Sequence, residues 1–296
     1  MEKKVLRANM LLLLASAIWG FAFVAQKVGA SYIGAFTFNG IRFALGSLSL
    51  IPVLLYFNKK PCENPEKIAL DSPLKGGLMA GAVIFIGTSL QQIGLSYTTA
   101  GKAAFITALY IVLIPIFSIF LKRHISSSNW AGVLVALIGL YFLSITENFT
   151  ISLGDLLQVG CAICFAVHIL LIDHFIKNVD AIKLSFVQYT TCSILSLTAA
   201  LIFETITLNS VMQAIVPILY GGIFSVGIAY TLQVIGQKNT KPSHAALILS
   251  MESVFAALGG FMILNENLTL RASLGCLLML FGILLSQFQN IRKMSF

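Results

Sequence analysis

The sequence predicts an all-α membrane protein of ten transmembrane helices, built as two inverted five-helix repeats (5+5). Three observations carry this reading. Apolar runs of about 20 residues recur along the chain, its basic residues sort into alternate connections, and its first half reappears in its second. Of 296 residues 58% are hydrophobic and only 10% charged, against roughly 25% charged in an ordinary soluble domain. A water-soluble core cannot absorb that much apolar surface.

The runs lie near 8–27, 34–57, 74–96, 102–121, 129–146, 154–174, 183–203, 213–235, 244–264 and 271–290. Each is long enough to cross a hydrocarbon layer of roughly 30 Å as a helix. They are too long and too continuously apolar for barrel strands, so backbone groups must pair within each helix. The connections are short, and the longest, Asn58 to Pro73, is too small to fold as a domain. Met1 to Arg7, followed by Met10 to Trp19 with Ala15-Ser16-Ala17, imitates a secretory signal peptide. This run is expected to remain as the first span, because it has a counterpart later in the chain. Four of the five cysteines fall inside spans, which argues against a disulfide framework. Cys161-Ala162-Ile163-Cys164, mid-helix and without a second ligand pair, reads as small apolar packing. No metal or cofactor is expected.

Loop charges test the ten-span reading, because cytoplasmic connections are enriched in Lys and Arg. One side carries Lys3, Lys4, Arg7, Lys59, Lys60, Lys67, Lys75, Lys122, Arg123, Lys177, Lys183, Lys238, Lys241, Arg292 and Lys293, fifteen of the nineteen basic residues. The other carries Lys27, Lys102 and Arg271, and Arg42 lies within a span. Both termini are therefore expected in the cytoplasm. The net charge of +8 is a topology signal rather than a nucleic-acid footprint.

The repeat is legible at an offset of 142, where Ile93-Gly94 and Ala103-Ala104 to Val112 match Ile235-Gly236 and Ala245-Ala246 to Val254. Gly132 and Gly139 match Gly275 and Gly282 after a one-residue slip. At an offset of 146, Trp19-Gly20-Phe21 falls on Phe165-Ala166-Val167, and Ala35 to Arg42 on Ala181 to Gln188. The halves divide as 1–147 and 148–296. Five spans per half is an odd number, so the second copy begins on the opposite side of the membrane. Oppositely oriented halves can exchange conformations and so trade an inward opening for an outward one.

Helical phase assigns faces. In the second span Ala35, Asn39, Arg42, Gly46 and Ser49 form a small, polar stripe, with Phe38, Ile41, Leu45 and Leu48 assigned to the opposite face. An arginine at a helix centre costs about 2.5 to 3.5 kcal/mol on insertion scales, so Arg42 needs a partner or a solvated path. Glu252 is the one acidic residue deep inside a span, and counting from the helix ends puts the two within about 8 Å along the membrane normal. They either pair or each find separate partners. Gln91, Tyr110, His168, Gln188 and Tyr230 add polar groups at membrane depth, as do Thr88 and Gln233. Thr88 falls on Tyr230, Gln91 on Gln233, Tyr110 on Glu252 and Arg42 on Gln188. Amides and hydroxyls at repeat-related positions suit a central site that offers donors and acceptors. His168 is a candidate proton carrier and equally a packed core histidine.

These residues carry a family resemblance. The ten-span plan, Trp19-Gly20, Ile41-Arg42-Phe43, the run Gly101-Lys102-Ala103-Ala104-Phe105-Ile106-Thr107-Ala108-Leu109-Tyr110 with Pro115, Glu252, and Asn265-Glu266 before the last span resemble the EamA-type transporters of the drug/metabolite transporter superfamily. The resemblance covers nearly the whole chain. It implies a bacterial inner-membrane carrier with both termini inside and a substrate cavity between the halves, and many such carriers export amino acids or related metabolites. Two positions depart from the pattern: Ser253 stands where proline often follows the glutamate, and His124 where a glutamate often closes the first repeat.

The expected function is secondary transport of an amino acid or related small polar metabolite, outward, with substrate contacts from Trp19, Asn39, Arg42, Gln91, Tyr110, His168, Gln188, Tyr230 and Glu252. Arg42 suits a carboxylate and Glu252 an ammonium. The alternative within the superfamily is uptake or exchange of a nucleotide-sugar, a nucleobase or another metabolite. A membrane enzyme would need a reactive constellation, and the chain has neither HExxH nor a phosphate-cradling glycine loop before Lys-Ser or Lys-Thr. A channel is the other rival, and the repeat favours rocking over a fixed pore. Expected partners are a small-molecule substrate and the lipid bilayer, with a coupling proton or ion and a homodimer left open, and no nucleic acid.

Overall fold

The computed structural model describes residues 2–57, 73–144, 152–263 and 269–292. The connection with Lys59, Lys60 and Lys67, the boundary at 147 and 148, Asn265-Glu266 and Lys293 lie outside the described residues. Every regular element among those described is helical. Ten helices match the ten apolar runs within a few residues: α1 Glu2–Gly29, α2 Ala35–Phe57, α3 Pro73–Leu95, α4 Ala100–Phe120, α5 Ser127–Ser144, α6 Leu153–Phe175, α7 Ala181–Phe203, α8 Ile215–Gln237, α9 Pro242–Ile263 and α10 Leu270–Arg292. Eight are long and apolar enough to cross a membrane, and α5 and α10 contain shorter apolar stretches, Ser127–Phe142 and Leu270–Ser286. We call the end of the bundle where α1 begins and α10 finishes the basic end, and the opposite one the far end.

Helix starts carry local partners for their free N–H groups. Ser152 and Asp155 form a reciprocal capping box at α6, Thr99 accepts from Lys102 N at α4, and Asp180 accepts from Ile182 N and Lys183 N at α7. The start of α2 is capped from the other repeat. The Glu204 carboxylate, just after α7, accepts from Phe36 N at 2.9 Å, Thr37 N at 2.8 Å and Thr37 Oγ1 at 2.7 Å. A carboxylate at a helix N-terminus also answers the positive end of the helix dipole.

Three helices are irregular where they pass the centre. In α4 the segments Ala100–Ala108 and Tyr110–Phe120 meet at Leu109, whose N–H bonds Ile106 O at 3.1 Å. In α9 the segments Pro242–Leu249 and Glu252–Ile263 meet at Ser250 and Met251, and Met251 N bonds Ile248 O at 3.1 Å. Leu109 and Met251 are repeat mates at the 142 offset, so each copy is tightened by one turn of 3₁₀ type at the same place. The α9 break needs no proline. Ser253, at the position where the family often has one, donates its hydroxyl to Ala104 O at 3.0 Å. In α8, Tyr220–Tyr230 is a π-helix.

The halves interlock instead of sitting side by side. α2 packs on α7, α3 on α6 and α7, and α1 on α8 and α9. α5 and α10 pair at the periphery, with backbones touching through glycines. A Cβ on Gly139 would stand 2.7 Å from Gly275 O and 2.8 Å from Met279 N, and one on Gly282 would stand 2.7 Å from Gly132 O. Small residues that allow such approach drive helix association where no hydrophobic force acts between helices. The outward faces carry apolar side chains such as Leu55, Phe120, Leu201 and Leu270.

Gly139→Leu therefore forces backbone apart and should lower stability by about 2–3 kcal/mol, read as a fall in the thermal midpoint in detergent. Gly101→Ala, where a Cβ meets nothing within 4 Å, should leave the midpoint unchanged or raise it slightly.

Candidate functional site

The irregular segments converge on one buried cavity. It is lined by Trp19, Phe23 and Gln26 of α1, Arg42 of α2, Gln91 of α3, Tyr110 of α4, Phe165, His168 and Ile169 of α6, Ser225, Tyr230 and Gln233 of α8, and Glu252 of α9. Its volume is about 30 Å³, enough for water, which needs about 10–15 Å³, and too small for a metabolite.

The lining comes in repeat-related pairs. Trp19 and Phe165, Phe23 and Ile169, Gln91 and Gln233, and Tyr110 and Glu252 each occupy equivalent positions in the two halves. The last pair touches: the Tyr110 hydroxyl donates to Glu252 Oε1 at 3.0 Å. Two mates in contact place the pseudo-two-fold axis between them. Each also opens the second segment of its broken helix, so the cavity is built by discontinuous helices at the repeat interface, as in other carriers.

Arg42 reaches the same cavity and is 2% exposed. It forms no ion pair with Glu252; the ion pairs among the described residues are Lys102–Asp155, Arg123–Asp173 and Lys177–Asp173. The guanidinium instead lies 5.3 Å from each of the Phe38 and Phe43 ring centroids. Two desolvated cation–π contacts, at up to about 2 kcal/mol each, are comparable with the insertion cost of an arginine, so it holds its depth without a counter-ion. Phe38 was assigned by phase to the opposite face. One turn before Arg42, it is instead a neighbour on the same face, and it is fully buried. Gly221 of the π-helix admits this side chain, since a Cβ there would stand 3.2 Å from Arg42 Cδ.

Seven of the nine expected residues line the cavity: Trp19, Arg42, Gln91, Tyr110, His168, Tyr230 and Glu252. Gln188 stands behind it, its Oε1 3.0 Å from His168 Nε2. Asn39 is fully buried one turn from Arg42 and does not line the cavity. Trp19 donates Nε1–H to Ser225 O at 3.2 Å, with its ring 4.6 Å edge-on to Tyr230. Sequence reading missed Phe23, Gln26, Phe165, Ile169 and Ser225 as lining residues, and named Gln233 only as a polar group at depth. Carrying the 146 offset from Trp19 and Phe23 finds Phe165 and Ile169. Ser225 gives no sequence signal, because it enters through the π-helical register. Arg42 Nε, His168 Nδ1, Gln26 Oε1 and Gln233 Oε1 are buried without a hydrogen-bond partner, so the cavity presents donors and acceptors still to be met.

The packing is tight toward the far end. Phe23, Leu95, Ala100, Ala103, Ala104 and Ala256 form a buried apolar cluster, and Lys27 Nζ donates to Leu95 O at 2.6 Å and Thr98 O at 2.8 Å.

The EamA-like transporter family model matches residues 6–145 and again residues 152–288. The chain belongs to the EamA-like transporter family. An uncharacterized transporter of Archaeoglobus fulgidus is 35% identical over 288 residues, which cover 95% of this chain and 86% of that one. The uncharacterized transporter YoaV of Bacillus subtilis is 24% identical, covering 93% and 95%. A solved crystal structure, 18% identical, superposes with a TM-score of 0.77 over 96% of this chain and 98% of its own; that likeness is one of fold. This EamA-like protein is therefore a multi-pass membrane transporter with one copy of the family unit in each half.

Removing the Tyr110 hydroxyl leaves the Glu252 carboxylate of this transporter without its one side-chain hydrogen bond among the described residues. Tyr110→Phe should cost about 1.5–3 kcal/mol, measured by thermal unfolding. The same change in a Glu252→Gln background should cost less by about 0.5 kcal/mol or more, and equal costs in the two backgrounds would separate the two residues.

Proposed function

We propose that this EamA-like transporter is a secondary carrier that works by alternating access and exports an amino acid or a closely related zwitterionic metabolite across the cytoplasmic membrane. The observation that carries the reading is a cavity on the repeat axis holding one buried cation, Arg42, and one buried carboxylate, Glu252, that do not neutralise each other. A zwitterion supplies both missing charges, its carboxylate toward Arg42 and its ammonium toward Glu252. Gln91, Gln233, His168 and the Trp19–Tyr230 pair complete the wall, His168 being held by Gln188.

Alternating access draws its support from the mated lining pairs and the broken helices. The far-end seal at Lys27 and the apolar cluster suit a state closed on that side. With the basic end in the cytoplasm, as the distribution of Lys and Arg favours, the far end is the exit and both termini lie inside.

The test is a thermal-shift screen of the purified protein against amino acids, nucleobases and sugars, since a ligand of the native state raises its apparent stability. An amino acid should give a saturable shift. Arg42→Ala and Glu252→Gln should each weaken it about thirtyfold or more, the scale for losing one partner of a buried charge contact. Shifts by nucleobases or sugars alone, or an amino-acid shift intact in both variants, would overturn the reading.

A further inference from the structure

The basic end holds a second and larger cavity of about 470 Å³, formed by the ends of α4, α6, α8 and α10 and the starts of α5 and α9. Its lining includes four basic side chains, Arg123, Lys177, Lys238 and Lys241, and one carboxylate, Asp173. Asp173 Oδ2 already receives Arg123 Nη1 at 2.6 Å and Lys177 Nζ at 3.4 Å. Lys238 and Lys241 form no ion pair among the described residues. Basic residues are expected at this end from topology alone, so they do not by themselves make a site.

The floor adds a second observation. Asn129, Gln237 and Thr240 line the cavity at 7%, 2% and 8% exposure, and Asn129 Oδ1, Gln237 Oε1 and Thr240 Oγ1 have no hydrogen-bond partner. Buried oxygens are rarely left so, and here they belong to residues lining a space that a ligand with N–H or O–H donors can enter.

Arg123 also lines a separate apolar groove of about 600 Å³ between α4 and α6, with Phe117, Leu121, Val167 and Leu171 along its walls and His174 as its other polar residue. This groove faces the bilayer: Phe120 and Leu121, both in its wall, are 80% and 56% exposed. One arginine thus joins a basic polar chamber to an apolar slot, and the joined shape is that of an amphiphile.

We propose that the chamber and groove together bind an anionic phospholipid with a polyol headgroup, of the phosphatidylglycerol kind. The phosphodiester sits among Arg123, Lys238 and Lys241, the two headgroup hydroxyls donate to Asn129 and Gln237, the Thr240 hydroxyl donates to a phosphate oxygen, and an acyl chain lies in the α4–α6 groove. Basic pockets between helices at the cytoplasmic side are suited to anionic headgroups. A choline headgroup offers no hydroxyl and brings a cation to a basic rim, whereas a soluble anion would leave the groove unused. The site is independent of the central cavity and of what that cavity carries.

The experiment is thermal unfolding of the purified full-length protein in detergent, titrated with dioleoyl phosphatidylglycerol, dioleoyl phosphatidylcholine or glycerol 1-phosphate. Phosphatidylglycerol should half-saturate at about tenfold lower concentration than phosphatidylcholine. The double variant Lys238→Ala/Lys241→Ala should lose about 25-fold, at about fivefold for each lysine near the membrane surface. Its lipid-free midpoint should not move, because both side chains are exposed. Leu171→Trp, which fills the groove, should weaken phosphatidylglycerol and not glycerol 1-phosphate. Equal responses to the two lipids, a parent-strength phosphatidylglycerol response in the lysine variant, or a glycerol 1-phosphate response as strong as that to the whole lipid would each overturn the proposal.

Discussion

The hydrogen bond from the Tyr110 hydroxyl to the Glu252 carboxylate joins two residues that occupy the same position in opposite copies of the repeat. An acidic side chain at membrane depth costs about 2.5–3.5 kcal/mol, and a hydrogen bond to a charged group returns about 1.5–3 kcal/mol. The carboxylate is thus nearly balanced by one contact, and the geometry around it follows. α4 and α9 must cross closely enough for the mates to touch, which requires Ala103 and Ala104 on one helix and Ala256 on the other, and Ser253 closes the same crossing on Ala104 O. α1 presses in at Gly20, where a Cβ would stand 2.7 Å from Glu252 O. Each helix tightens at Leu109 or Met251, immediately before the residue that makes the bond.

Arg42 solves the same desolvation problem by other means. Its charge rests against Phe38 and Phe43 and in the space left by Gly221, so neither the cation nor the carboxylate consumes the other. A direct ion pair would satisfy both charges within the protein and leave nothing to recognise a zwitterion. Each charge is thus held by uncharged groups and not neutralised by the other, and the unpartnered atoms of Gln26, His168 and Gln233 lie around the same cavity. The wider bundle supplies rigidity: Glu204 fastens α2 to α7 across the repeats, Lys102 and Asp155 tie α4 to α6 near the far end, and Arg123 and Asp173 tie the end of α4 to α6 at the basic end.

The ten spans were legible because membrane thickness fixes a run length that few other structures share, and the halves because Ile93-Gly94 and Ile235-Gly236 anchor an offset that also aligns the polar residues. Most of the polar lining of the cavity was legible for the same reason: a polar residue deep in an apolar run has few places to go but inward. The rest was hidden by local geometry. The π-helix of α8 rests on backbone register, so Ser225 could not be phased from an ordinary helix. Phe38 was misassigned because a two-face division ignores that positions four apart are neighbours. The far-end cap by Glu204 lies in tertiary contact between chain segments 167 or more residues apart, which no local pattern encodes.

The central claim is that one cavity recognises both ends of a zwitterion, and exchange in proteoliposomes tests it most directly. Vesicles loaded with a labelled amino acid that shifts the thermal midpoint would be diluted into that amino acid, its decarboxylated amine, or the carboxylic acid lacking the amine. Saturable release should be driven by the amino acid and by neither analogue. Equal exchange against the amine or the acid, or release that does not saturate, would contradict the account.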